Sequence, residues 1–303
     1  MTPMSGGFDW LAVGDVAEER AAASSPGILG GGAARLVAHA AALRARTALV
    51  AKVGADEAGR RVRDALERLK VDLRWLRETP GLRTTIWHQP DGEAQGRRVE
   101  RGADLALRLD ELPPNFVRAA LTVVSGYALS VEPARSAALG ALAGAHARGG
   151  RSALLLEADL LWWTNARMTR RVLEPALAAV DSVALQAADA KVLFGSVDSR
   201  EALRLLAGLG PRLVYLAEPD GSVWLREGGR VHWCPAGQSE DAPRDRYAGP
   251  AAFWVALAQR SAPRKAAADS IRYAQSVRRA GAPRQPQGAR PAAPKGREEL
   301  SRL

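Results

Sequence analysis

A run of three glycines followed by an arginine is the part of this 303-residue chain best suited to hold a ligand. The glycines at 30–32 precede a segment rich in Ala and Leu, and Arg35 lies near the start of that segment. Glycine permits close approach of a ligand to the backbone, and arginine recognises phosphate or carboxylate groups. The alternatives are a flexible turn and a solvated helix residue, so the pattern by itself leaves both interpretations open.

Short apolar runs alternate with helical patterns along most of the chain. The predicted strands are 10–13, 47–53, 121–125, 152–156, 182–186 and 213–217. The predicted helices are 33–46, 57–70, 133–148, 165–180, 188–194, 200–209, 251–259 and 264–278. Two hairpins are predicted within 83–101 and 222–233. Strands that alternate with helices predict an α/β fold, with a mostly parallel sheet covered on both faces.

Three features together resemble the ribokinase-like (PfkB) carbohydrate kinase family. The first is the pair Gly30-Gly31 followed by Arg35, and the second is Val53-Gly-Ala-Asp-Glu-Ala-Gly59, which is similar to the family's Val-Gly-x-Asp-x-x-Gly. The third is the order of early hairpin, βα units and a Gly-containing helix start near residue 250. The resemblance covers residues 8–281 and implies a doubly wound, mostly parallel sheet with a small β lid.

The family resemblance also implies a function. Lid strands are expected near 15–25 and 83–101, with a homodimer formed through the lid. The expected reaction is ATP-dependent, Mg²⁺-assisted phosphoryl transfer to a hydroxyl group of a sugar or nucleoside. Such a site needs a carboxylate base, backbone N–H groups at a helix N-terminus and acidic or amide groups for metal and phosphates.

Site residues follow from the resemblance position by position. Substrate contacts fall on Glu19, Gly30, Gly31 and Arg35, metal and phosphate contacts on Gln186 and Asp189, and a nucleotide contact on Gly221. Arg35 replaces the family's asparagine, and Glu19 replaces an aspartate that holds sugar hydroxyls. Gln186-Ala-Ala-Asp189 replaces Asn-x-x-Glu, which lengthens the amide and shortens the acid.

The segment that ends at Phe253 departs furthest from the family. Where the family has Asp-Thr-Thr-Gly-Ala-Gly-Asp-Ala-Phe, residues 245–253 are Asp-Arg-Tyr-Ala-Gly-Pro-Ala-Ala-Phe. The anion hole then falls on Ala248, Gly249 and Pro250, and the base falls on Ala251. Alanine accepts no proton, and proline has no N–H to offer. We expect loss of the base to lower the rate about 10²–10⁴-fold and loss of one N–H donor to lower it about 10²–10³-fold.

A register shifted by six residues provides an alternative, in which Asp245 becomes the catalytic base. That register also lacks the family's Gly-Ala-Gly sequence. Two hypotheses therefore remain at this point. The chain is a carbohydrate kinase whose activity is weak or lost, or it is a non-catalytic pseudokinase that senses a ligand or binds a partner.

Composition limits the environment and the partners. Cys234 is the single cysteine, so no internal disulfide forms, as is typical of a reducing cytoplasm. The most apolar run, 153–163, is far shorter than the roughly 20 residues that span a membrane. Of the net charge of +10, residues 261–303 carry ten Lys and Arg against three Asp and Glu. We therefore predict a disordered basic tail at 282–303 and no specific nucleic-acid partner.

Overall fold

A computed structural model describes residues 7–21, 27–89, 97–113, 119–159, 161–195, 197–236 and 245–280. The predicted tail at 282–303 lies outside these residues. So do residues 22–25 of the first predicted lid region and the turn of the first hairpin at 90–92.

Strands and helices alternate through the described residues. The strands are β1 (Phe8–Val13), β2 (Ala17–Arg20), β3 (Ile28–Gly30), β4 (Thr47–Gly54), β5 (Leu76–Thr79), β6 (Thr85–His88), β7 (Arg98–Glu100), β8 (Ala119–Ser125), β9 (Arg151–Leu155), β10 (Ser182–Gln186), β11 (Leu213–Ala217), β12 (Val223–Glu227) and β13 (Arg230–Cys234). The α-helices are α1 (Gly32–Ala42), α2 (Glu57–Arg68), α3 (Ala134–Ala147), α4 (Ala166–Ala178), α5 (Ala187–Phe194), α6 (Ser199–Gly208), α7 (Ala248–Ala258) and α8 (Pro263–Ala280).

Nine strands form one sheet in the order β13-β12-β11-β10-β9-β8-β1-β4-β5. All neighbours pair in parallel except the antiparallel pairs made by β12 with β11 and with β13. The strand order reverses beside β1, which lies between β8 and β4. In open α/β sheets this reversal leaves a crevice at the carboxyl ends of the strands.

Helices cover both faces of the large sheet, as alternate residues of β1 show. Trp10 packs in one buried cluster with Leu36 of α1 and Trp254 of α7. The next residue, Leu11, packs in a different cluster with Leu142 of α3. Because side chains of a strand point alternately to its two faces, these clusters are the two layers of core predicted from the sequence. The predicted α/β fold is confirmed.

The smaller sheet contains four strands in the order β3-β2-β6-β7. β2 pairs with β6 in parallel, and β6 pairs with β7 as the predicted antiparallel hairpin. Trp87 of β6 is buried and belongs to the core of the large sheet. The small sheet therefore packs against the body of the protein through an aromatic side chain, at the carboxyl edge of the large sheet.

Helix α7 begins three residues before the predicted start at 251. Pro250 consequently lies in the first turn of this helix. The first turn tolerates proline because the N–H groups there have no partner within the helix. Within the described ranges no helix is both long enough and apolar enough to cross a bilayer.

Candidate functional site

The turn that joins the two sheets is held by a buried carboxylate. Asp15 follows β1, and its side chain accepts hydrogen bonds from the N–H groups of Gly32 at 2.5 Å and Ala33 at 3.1 Å. Gly31 has a φ of 90°, and a Cβ there would lie 2.8 Å from the Asp15 carbonyl oxygen. Glycine at 31 is therefore required by contact with the chain's own backbone. Substrate contact at Gly30 and Gly31 stays a prediction.

Arg35 joins three parts of the molecule that are far apart in the sequence. From α1, it donates to Glu19 of β2 at 2.8 Å and to Asp245, which precedes α7, at 2.5 Å. Its guanidinium lies 5.2 Å from the centre of the Tyr247 ring. Gln89 also donates to Glu19. Two residues predicted as substrate contacts, Glu19 and Arg35, thus meet the alternative base Asp245 in a single ion-pair network.

Asp245 is fully engaged by this network and by the start of α7. Its Oδ2 atom contacts Arg35 and lies 2.8 Å from Nε2 of His39, while Oδ1 accepts from the N–H of Tyr247 at 3.0 Å. Burial would raise the pKa of the Asp245 carboxyl, but His39 and Arg35 outweigh burial and hold that pKa well below its usual range. A carboxylate with so low a pKa is a weak proton acceptor.

The first turn of α7 contains no acidic side chain. Ala251 is completely buried and packs in the core with Phe253. The N–H of Ala248 donates to the carbonyl of Asp245 at 3.3 Å, the N–H of Tyr247 donates to the Asp245 side chain at 3.0 Å, and Pro250 has no N–H. A ligand at this helix start would therefore find fewer available N–H donors than a helix N-terminus normally provides.

A cavity of about 250 Å³ lies between the small sheet and the body of the protein. We call it the lid-side cavity. It is lined by Glu19, Arg35, Trp87, His88, Gln89, Arg97, Arg98, Val99, Leu161, Trp162, Asp245, Arg246 and Tyr247. Four of these side chains are arginines and two are carboxylates, so cationic groups predominate on its walls.

Two tryptophans that were not predicted as site residues form part of this wall. Trp87 of β6 stacks on Trp162 with ring centres 5.7 Å apart and planes inclined by 23°. Tyr127 packs against the Trp162 ring at 5.4 Å. No local sequence pattern connects these two residues, which lie 75 positions apart. Flat aromatic surfaces of this kind suit a sugar ring or a base.

A second cavity, of about 240 Å³, lies on the other side of Asp245 and Arg246. We call it the helix-side cavity. Its walls include Gln186 and Gly221, the latter with a φ of 87°, together with Gly249 and Pro250. Asp245 and Arg246 line both cavities. The two spaces therefore meet at these two residues.

The residues predicted to serve a metal ion are already occupied. Asp189 accepts hydrogen bonds from the N–H groups of Ala158 at 3.0 Å and Gln186 at 3.0 Å, and an ion pair from Arg246 at 2.6 Å. The side chain of Gln186 donates to the carbonyl of Arg246 at 3.4 Å. Mg²⁺ prefers oxygen ligands, and Asp189 offers none that is unengaged. The described residues contain no cluster of three His, Cys, Asp or Glu side chains able to hold a metal.

Another buried carboxyl group, that of Glu157, lies next to Tyr247. Glu157 is completely buried and accepts a hydrogen bond from the Tyr247 hydroxyl at 3.2 Å. Burial, with the nearby charge of Asp15, raises the pKa of Glu157 to about 8, and Arg246 opposes this shift. Near neutral pH Glu157 is therefore mainly a protonated acid, and it is not among the residues that line either cavity.

Comparison with known proteins identifies the family of this fold and site. The model for pfkB family carbohydrate kinases matches residues 11–242. A fructokinase from Klebsiella pneumoniae is 30% identical over 215 residues, which are 68% of this chain and 69% of the relative. The chain belongs to the PfkB family of carbohydrate kinases. The family match ends before Asp245, so it does not include the first turn of α7.

Solved structures show the same fold. The aminoimidazole riboside kinase of Salmonella enterica superposes with a TM-score of 0.78 at 19% identity, covering 91% of this chain and 94% of that protein. The fructokinase of Vibrio cholerae, in a form with bound fructose, ADP and calcium ion, superposes with a TM-score of 0.76 at 20% identity, covering 89% of this chain and 91% of that protein. An adenosine kinase from Sinorhizobium meliloti superposes with a TM-score of 0.77 at 18% identity, covering 90% of this chain and 94% of that protein.

Proposed function

We propose that this member of the carbohydrate kinase family binds a sugar- or nucleoside-sized ligand without transferring phosphoryl groups at the rate of an active kinase. The observation that carries this proposal is the complete burial of Ala251, the residue on which the family's base falls when the motif is aligned on Phe253. Pro250 precedes it and supplies no N–H donor. The lid-side cavity, by contrast, is open and lined with polar and aromatic groups.

The alternative function is weak ATP-dependent transfer that uses Asp245 as the base. The position of Asp245 favours this alternative, because the residue lines both cavities. The contacts of Asp245 oppose the alternative, since both carboxylate oxygens are bonded to Arg35, His39 or the Tyr247 N–H. A base would have to give up an ion pair before it could accept a proton.

The cofactor assignment depends on which of these two functions the chain performs. Relatives have been crystallised with ADP and metal ions or with an ATP analogue, and we propose ATP and Mg²⁺ as cofactors only if transfer occurs. In this chain the residues around Asp189 do not fit an open metal site, because their polar atoms bond to one another.

We propose that the site reports ligand occupancy to a partner, including a second copy bound through the small sheet.

Coupled ADP release with a panel of sugars and nucleosides tests the proposal directly. We expect turnover far below the about 1–100 s⁻¹ of active kinases, together with a ligand-induced rise in melting temperature. Sugar-dependent ADP release near 1 s⁻¹ would overturn the proposal. If that release were lost in Asp245→Asn while ligand binding and the circular dichroism spectrum were kept, Asp245 would be the base.

A reconstructed helix start provides the complementary test. The variant combines Ala248→Gly, Pro250→Gly and Ala251→Asp, which restores the family motif at these positions. We expect measurable ADP release, because both a carboxylate and an N–H donor return to the site. The variant with only Ala248→Gly is the matched control and should stay inactive. A folded triple variant that binds ligand and nucleotide yet releases no ADP would contradict the assigned register.

A further inference from the structure

The strand at one end of the large sheet has an open outer edge. β13 is the last strand in the order of that sheet, and within the described residues it pairs only with β12. The backbone N–H and C=O groups on the outer side of such a strand have no neighbouring strand to bond with, so they can pair with another chain.

The two faces of this strand differ in how they are covered. On one face α8 packs against β13, and Cys234 is buried there in a cluster with Ile271. Trp233 and Val231 point to the opposite face, because side chains alternate along a strand, and they are 53% and 42% exposed. Trp224 of β12 lies beside Trp233, with ring centres 6.5 Å apart. The opposite face is therefore an exposed apolar strip.

A cavity of about 310 Å³ lies between β13 and α8. We call it the edge pocket. Its walls are mostly apolar and include Pro235 and Ile271, and Arg264 also lines it. Side chains of a strand added beside β13 would alternate between the edge pocket and the apolar strip.

Basic side chains surround this edge. Four arginines lie on it or beside it, namely Arg200, Arg226, Arg230 and Arg264. Within the described ranges none of the four forms an ion pair, whereas the nearby Arg204 and Arg272 pair with acids on their own helices. Glu227 is the single acidic residue of β12 and β13. The charges of this edge therefore complement an acidic partner.

A second copy of this chain is a poorer occupant of the edge than an acidic partner. Pairing of two β13 strands would bring Arg226, Arg230 and Arg264 of one protomer close to the same residues of its partner. Like charges on neighbouring strands repel each other. Carboxylates on the added strand would instead neutralise these arginines.

We propose that β13 binds an extended acidic segment of another protein, which adds a further strand to the large sheet. Backbone hydrogen bonds to β13 would supply affinity, and alternate side chains of the segment would supply specificity. Its apolar side chains would contact Trp233 and the edge pocket, and its carboxylates would pair with the four arginines. None of these residues lines the lid-side or the helix-side cavity, so binding here does not depend on phosphoryl transfer.

Fluorescence anisotropy of the full chain with labelled synthetic peptides tests the class of partner. The peptides alternate Val, Ile or Phe with Asp or Glu, and matched peptides carry Lys in place of the acids or Pro at the central position. We expect the best acidic peptide to bind at least about 10-fold more tightly than its Lys and Pro counterparts. Equal binding of the three, or no binding by any acidic peptide, would overturn the proposal.

Backbone N-methylation of the best peptide separates strand addition from simple charge attraction. A strand pairs with one neighbour through the backbone groups of alternate residues. Methylation of every second amide should therefore abolish binding in one phase and leave it nearly unchanged in the other. Equal effects of the two phases would rule out strand addition.

Variants of the edge locate the bound peptide. Trp233→Glu should weaken binding of the acidic peptide about 10-fold or more, whereas Met168→Glu, at an apolar residue of α4 that is 45% exposed, should not. Arg264→Glu should weaken the acidic peptide and strengthen its Lys counterpart. Arg68→Glu, at an exposed arginine of α2, should change neither. Unchanged binding in folded Trp233→Glu and Arg264→Glu would overturn the assignment to β13.

Two other occupants would be recognised in the same samples. A thymidine oligonucleotide that bound more tightly than the best acidic peptide, and lost its binding in Arg264→Glu, would identify a nucleic-acid surface. A dimer detected by light scattering and lost in Trp233→Glu would assign the edge to a second copy of the chain. Either result would overturn the proposal of an acidic segment.

Discussion

The two cavities that meet at Asp245 and Arg246 are built in different ways. The lid-side cavity has walls of long charged and aromatic side chains, organised around Arg35. The helix-side cavity is bounded by the close-packed start of α7, where Gly249 approaches Tyr215 and Pro250 supplies no donor. Ligand binding and phosphoryl transfer therefore depend on different kinds of structure. Binding is distributed over many contacts, whereas transfer needs a few atoms at one helix start.

The strongest test of this comparison is removal of Arg35 by Arg35→Met. Arg35, Glu19 and Asp245 are all largely buried, so the substitution leaves two carboxylates without their shared partner. Loss of one member of a buried ion pair typically costs about 3–5 kcal/mol. Urea denaturation should show a loss of this size in the free energy of unfolding.

A surface arginine provides the matched control for that experiment. Arg204→Met removes an exposed residue of α6 that pairs with Glu201. Surface pairs contribute about 0–1 kcal/mol, so we expect little change. If Arg35→Met cost no more than this control, the network would not hold the lid-side cavity together.

On the helix side, the test is Gly249→Ala. A Cβ at this position would lie 2.6 Å from the hydroxyl oxygen of Tyr215. Tyr215 is buried and bonded to Ser270 at 3.1 Å, so its ring has little room to move. We expect a loss of about 1–3 kcal/mol in unfolding free energy, as is typical of overpacked cores.

Tyr215→Phe should relieve much of that loss. It removes the clashing oxygen, and the next tyrosine atom, Cζ, lies 3.7 Å from the added Cβ. A double-mutant cycle of Gly249→Ala and Tyr215→Phe should therefore give a favourable coupling energy. Additive effects would show that the helix start is less tightly packed against β11 than the structure indicates.

The smallest expected effect concerns pH. Burial raises the pKa of Glu157 to about 8 and that of Asp104 to about 7. Both acids therefore ionise at lower pH in the unfolded chain than in the folded one. The folded state binds more protons at these two groups, so their contribution to stability is fully present below their unfolded pKa values near 4 and is lost as pH rises through 7 and 8.

Thermal melting at a series of pH values measures this effect. Between pH 7 and pH 9 we expect Glu157 to account for a loss of about 1 kcal/mol, which lowers the melting temperature by about 2–4 °C. Glu157→Gln should make the decline over this interval smaller. A melting temperature that rose with pH over the same interval would contradict the raised pKa values.

Most of the large sheet was predictable, because its strands are apolar runs separated by helical patterns. β4 and β10, for example, agree closely with the predicted segments at 47–53 and 182–186. β5 was missed because its residues, Leu-Arg-Glu-Thr, show no apolar run, and the strand lies at the sheet edge with two exposed charged side chains. β3 was missed because it has only three residues and ends at the glycine turn.

The site was only partly predictable. Asp56 caps helix α2 by accepting a hydrogen bond from the N–H of Gly59 at 2.8 Å, a contact within the short Val53–Gly59 motif that the sequence marks. Arg246, Trp87 and Glu157 were not predicted, because no short-range pattern marks them. The basic tail, the dimer through the small sheet and the cytoplasmic location remain predictions.

Sequence alone determined the alternation of strands and helices, the family resemblance and the absence of a carboxylate at 251, because these properties belong to single residues and short segments. Tertiary structure decided which distant groups meet. Arg35 and Asp245 are 210 positions apart, and their ion pair forms because α1 and α7 pack on the same face of the sheet. The protonation of Glu157 was decided in the same way, since burial sets its pKa.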